Sequence, residues 1–88
     1  MNSVAQREFY QLKDRTIKLH TLIKTLQAEA KGIVDPMKHV TLATEIEVLK
    51  KTCDHDLNKL QLLGLKFLNH FQNKSVGQAI QKLRKEIE

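Results

Sequence analysis

The densest group of reactive side chains is Cys53-Asp54-His55-Asp56, a thiol, an imidazole and two carboxylates in four consecutive residues. Such a set can serve a nucleophile activated by a base, or a metal ion held by sulfur and nitrogen. Both chemistries need the thiol and the imidazole to converge. The apolar spacing around them is helical, and on a helix Cys53 and His55 point ~200° apart. They therefore neither pair as nucleophile and base nor share a metal ion within one chain. Cys53 falls on the apolar stripe and reads as a small core residue. Asp54, His55 and Asp56 are expected on a solvated face.

The other histidines, His20, His39 and His70, make no HxxxH, HExxH or Cys-x-x-Cys spacing with one another or with Cys53. No metal site is expected, and the histidines read as surface residues. His39 lies near the start of the second helix, and His70 near its end, where a positive imidazole would suit the dipole. There is no glycine-rich phosphate loop, no defensible Ser-His-Asp arrangement and no carboxylate at a clearly buried position. A hairpin of this size also leaves little room for a pocket of ~300 Å³ or more. The expectation is a non-enzymatic protein with no cofactor and no small-molecule substrate.

Charge is distributed unevenly. Residues 1–56 carry nine basic and eight acidic side chains, a net of +1, whereas residues 57–88 carry six basic and two acidic, a net of +4. Lys59, Lys66, Lys74, Lys82, Arg84 and Lys85 lie in a stretch with no acid between Asp56 and Glu86. One function class that follows is nucleic-acid binding by these six residues. The competing account is a solvated surface with favourable charges at a helix C-terminus. It is favoured because only one of the six is Arg and no exposed aromatic is interleaved.

The chain has 88 residues, a formal net charge of +5, 28% charged and 41% hydrophobic residues, three Gly and one Pro. That composition reads as one helical domain spanning 1–88. A lone cysteine excludes an internal disulfide and points to a reducing, cytoplasmic setting. The opening MNSVAQREFYQLKDR lacks the apolar core of a signal peptide, and the most apolar window, LQLLGLKFL, is about half a membrane span. No membrane association is expected.

The elements follow from periodicity. Ser3 with Gln6 has capping-box spacing, so a first helix begins at about Val4. Phe9, Thr16, Ile23 and Ala30 form one row, with Ala5, Leu12, Leu19, Leu26 and Ile33 as its partner, a coiled-coil-like stripe. Gly32 stands where a left-handed C-terminal cap would fall. Asp35-Pro36 is a strong N-cap followed by a first-turn proline. Ile46, Leu49, Cys53, Leu57, Leu60, Gly64, Phe67 and Phe71 then recur at helical spacing, which predicts one helix over about 36–72. Gly64 inside it suggests a close contact or a bend. Ser75 with Gln78 predicts a third helix over about 76–87.

The predicted fold is all-α: an antiparallel two-helix hairpin, about 4–31 and 36–72, closed at one end by the short third helix. At 1.5 Å per residue the second helix outruns the first by ~13 Å. The third should cover that overhang, bringing Phe9, Tyr10, Leu60, Leu63, Phe67, Ile80 and Leu83 together. The turn end is left with two helices and an apolar seam of Ile23, Leu26, Ile33, Leu42, Ile46 and Leu49. Such a seam suits a partner helix, from another protein or from a second copy in a homodimer. In shape and turn chemistry, carried by Asp35-Pro36, the hairpin resembles adaptor subunits and small cochaperones that mask helices of bacterial secretion substrates. An interaction module of that kind is the function expected, with the nucleic-acid-binding protein as the alternative.

Overall fold

Asp35 and Pro36 reverse the chain as their types require. In the computed structural model, which describes residues 3–88, Asp35 Oδ1 accepts the Met37 N–H at 3.0 Å and Pro36 opens the second helix. The elements are α1 (Ser3–Gly32), α2 (Pro36–Gly64) and α3 (His70–Glu86), with no strand among the described residues. Residues 37–43 belong to α2, and Ser3 is already helical. Gly32 ends α1 without entering the left-handed region; Ile33 N–H simply bonds back to Ala30 at 3.3 Å.

The architecture is the expected hairpin closed by a third helix, but the breaks fall elsewhere. The helix predicted over 36–72 ends at Gly64, and α3 starts at His70 rather than 76. Lys66 N–H bonds to Leu63 O and Phe67 N–H to Gly64 O, the tighter i to i−3 pattern that winds a helix down. Asn69 then caps α3: its Oδ1 accepts from Gln72 N at 2.9 Å, while Gln72 Oε1 accepts from Asn69 N at 3.0 Å. This reciprocal cap satisfies two backbone donors that continuation of α2 would otherwise have bonded. The Ser75–Gln78 spacing lies inside α3 and caps nothing.

The reversal is tight at Gly64. A Cβ there would lie 2.9 Å from Asn73 Oδ1, 3.1 Å from Leu68 Cδ1 and 3.6 Å from Phe9. Asn73 Nδ2 meanwhile donates to Leu68 O and Asn69 O, both at 3.0 Å. Phe67 turns inward and meets Phe9 edge-on with ring centroids 5.3 Å apart. Phe71, expected on the buried stripe, faces solvent because the chain has already turned.

From that corner α3 runs back antiparallel to α2. His20 Nε2 bonds Leu83 O at 2.9 Å and Gln27 Nε2 donates to Ile87 O at 2.9 Å. Arg84 bonds Asp54 at 2.7 Å and also Asn58. Lys24 donates to Glu86 at 3.1 Å. With 17 residues α3 spans ~26 Å and reaches well down the hairpin. The core is Ala5, Phe9, Leu12, Ile23, Ile46, Cys53, Leu57, Leu60, Leu63, Ile80 and Ile87. Below Gln27 and Lys50 only α1 and α2 remain. The molecule measures 53 × 21 × 14 Å, with a radius of gyration of 15.4 Å against ~12 Å for a compact chain of this length.

Asn69→Ala should remove the α3 cap and cost ~1 kcal/mol, a fall of ~4–8 °C in Tm. Ser75→Ala should leave Tm unchanged or slightly raised. Thermal melts in which the Ser75 variant is the damaged one would move the start of α3 back to residue 76.

Candidate protein-docking surface

The reactive tetrad is dispersed by its helix. Cys53 is fully buried, and burial pushes its thiol pKa up, with the nearby Asp56 and Asp54 charges adding to the rise. It is a protonated core thiol rather than a nucleophile. His55 and Asp54 are exposed. Asp56, expected on the solvated face, is buried instead and takes Arg15 Nη2 at 3.2 Å. Its position flanks the Cys53–Leu57 stripe, and α1 brings the guanidinium over its rim. Among the described residues no cluster of three His, Cys, Asp or Glu could hold a metal ion.

Two histidines also differ from expectation. His20 is buried between α1 and α3. A carbonyl can only accept, so the His20 Nε2 carries the proton donated to Leu83 O. His70, expected near a helix C-terminus, is the first residue of α3, where a positive charge opposes the dipole.

The six basic residues are spread over α2, the α2–α3 corner and α3. Lys82 and Lys85 border a shallow surface with Gln78 and Gln81, and Lys66 borders another with Ser3, Gln6 and Tyr10. Arg84 is held by Asp54 and Asn58. Lys59 and Lys74 are exposed on α2 and α3. A groove of about 600 Å³ does open between α1 and α3, larger than the sequence suggested. Phe9, Tyr10, Ile17, Val76, Ala79 and Leu83 make its apolar wall, and Lys13, Lys82 and Glu86 are its only charged lining.

The predicted seam is mostly closed by the chain itself. Ile23 is 0% exposed because α3 reaches far enough to cover it, and Ile46 is buried between the two long helices. Neither can meet a partner. Leu26, Leu42 and Leu49 are half-buried against the same core, and Ile33 is half-buried just past the end of α1. Exposed apolar side chains gather in two places, the α2–α3 corner with Leu62, Leu65 and Phe71, and the outer side of α2 at the hairpin tip. Val34 at 93%, Met37 at 80%, Val40 at 63% and Val48 at 59% exposure project into solvent from the hairpin tip.

Met37, Thr41, Thr44 and Val48 step by 4-3-4 residues and share a ~60° arc opposite Ile46 and Cys53. No charged side chain enters that arc before Lys51. The threonine hydroxyls are already spent: Thr41 donates to Met37 O at 3.0 Å and Thr44 to Val40 O at 2.9 Å. One turn on, Thr52 does the same to Val48 O at 3.2 Å. Burying this face would strand no hydroxyl proton. The sequence carries this signal as a second 3–4 spacing, in which two of the four positions are threonine.

No protein-family model, no curated protein and no solved structure matches the chain. No helix among the described residues is long and apolar enough to cross a membrane.

Native Cys53 should react with a thiol-specific disulfide reagent at least ~10-fold more slowly than the same thiol in guanidinium, since it must wait for an opening of the core. Equal rates would mean that α1 and α2 do not enclose it.

Proposed function

We propose that this chain is a non-enzymatic helical interaction module, an adaptor or small chaperone-like subunit, that binds protein through the outer face of α2 at the hairpin tip. The observation that supports it is the uncharged outward arc from Met37 to Val48, continued at the turn by Val34. A surface helix of a self-sufficient fold carries charge on the side opposite its core. Here that side is apolar or threonine for three turns, and contiguous exposed apolar surface marks an interaction site. Leu26, Ile33, Leu42 and Leu49 are half-buried and offer a partner less surface than the outer arc. A cytoplasmic setting accords with the single reduced thiol.

The nucleic-acid alternative draws less support, because its cations are scattered and Arg84 is already paired. The catalytic alternative draws none from Cys53 or Asp56, one a protonated core thiol and the other ion-paired.

A photo-crosslinking residue placed at Val40 should give discrete protein adducts in extract of the source cells, whereas one placed at the exposed Gln11 of α1 should not. Val48→Asp should suppress the Val40 adducts at least ~10-fold while moving stability by less than ~0.5 kcal/mol, since Val48 is an exposed surface residue outside the core. Adducts equal at both positions would count against a docking face on α2.

A further inference from the structure

We infer that the occupant of this face is a second copy of the chain, with α2 packed on α2 antiparallel about a two-fold axis level with the midpoint between Thr41 and Thr44. The inference rests on the docking role proposed for the arc and adds the identity and register of its partner. Met37 and Thr44 occupy one seam position of a heptad, and Thr41 and Val48 the other. Read in either direction the row is apolar, threonine, threonine, apolar. An antiparallel partner therefore sets Met37 of one copy against Val48 of the other, and Thr41 against Thr44. The two threonines let the helices approach closely at the axis, and both hydroxyls already have acceptors in their own helix.

Charge selects the same arrangement independently. Lys38 and Glu45 flank the arc on one edge, seven residues apart, and both are exposed. Neither belongs to any of the ion pairs formed among the described residues, which are Arg15–Asp56, Lys24–Glu86, Lys50–Glu47 and Arg84–Asp54. In an antiparallel pair equivalent edges face each other, so Lys38 of each copy comes within ~3 Å of level with Glu45 of the other. The two-fold axis makes the contact twice. A parallel pair would face Val40 with Glu45 and Glu47 with Thr52, leaving every charge unmatched. On the second edge the antiparallel pair lays the aliphatic stem of Glu47 along Val40, which is exposed in the single chain.

The contact spans Met37 to Val48, ~17 Å of helix. That is smaller than the interfaces of permanent dimers, so the association belongs to the transient class, with Kd on the order of 10–100 µM. An isologous contact of this kind closes on itself and stops at two copies. The tip of each hairpin then lies beside α2 of the other, giving four helices where each chain alone has two.

Sedimentation equilibrium of the full chain from about 10 µM to 1 mM should show a monomer–dimer equilibrium in that range. Lys38→Glu alone and Glu45→Lys alone should each weaken it about 5- to 10-fold, because each sets like charges opposite one another twice. The double exchange Lys38→Glu/Glu45→Lys should restore wild-type association. Circular dichroism should be unchanged in all three, since both side chains are exposed. A dimer in which the double exchange fails to recover overturns the antiparallel register. A chain that stays monomeric at 1 mM overturns self-pairing altogether. If that monomer still crosslinks from Val40 to another protein, the docking role stands and only the second copy is ruled out; if it crosslinks to nothing, both fall.

Discussion

The close approach at Gly64 governs the shape of this molecule. Two helices can cross there only because no Cβ stands between Asn73, Leu68 and Phe9. The Asn73 carboxamide is committed to two backbone carbonyls, and its Oδ1 is buried without a hydrogen-bond partner. A side chain at position 64 would press on that oxygen. The Asn69–Gln72 cap finishes the reversal by satisfying the donors that a broken helix exposes. Placing the corner at Gly64 rather than eight residues later makes the arms of the hairpin equal, 30 and 29 residues.

Once the corner is placed, the length of α3 decides what is covered. Its C-terminal carbonyls are the groups most in need of partners, and α1 provides them through His20 on Leu83 O and Gln27 on Ile87 O. An unpaired buried carbonyl costs ~1–3 kcal/mol, whereas an exposed ion pair such as Lys24–Glu86 is weakened by solvent screening. The two carbonyl contacts therefore outweigh the ion pairs in seating the end of α3. The Lys24 hydrogen bond also holds the Glu86 carboxyl below its usual range. That tie is present above the ordinary carboxylate range and is lost as acidification passes through the lowered value.

Beyond α3 the hairpin tip has no third helix, and its outer surface follows a different rule. Leu26, Leu42 and Leu49 pack inward with Ile46, so the inner stripe of α2 is largely consumed within the chain. The outward arc from Met37 to Val48 is a second apolar face on the same helix, which no contact inside a monomer explains. Threonine makes this face ambiguous in a hydropathy reading. Its hydroxyl bonded to its own helix leaves a methyl-bearing, uncharged surface, although the residue type counts as polar.

Local chemistry alone specified the all-α class, the Asp35-Pro36 reversal and the burial of Cys53, whereas the structure decided that residues 37–43 belong to α2. Each of the first three depends on periodicity or on a cap contained within a few residues. Gly64 marked a close contact or bend, but that the helix ends there was not legible, because Phe67 and Phe71 continue the helical spacing while Asn69 and Gln72 spell a cap inside it. Which signal prevails depends on the packing of α3 against α2, a contact between residues distant along the chain from the rest of the hairpin. The same long-range placement buried His20 and Ile23 and turned Phe71 outward. None of these outcomes has a local cause: each follows from where α3 lands, and only the folded arrangement of three helices decides that.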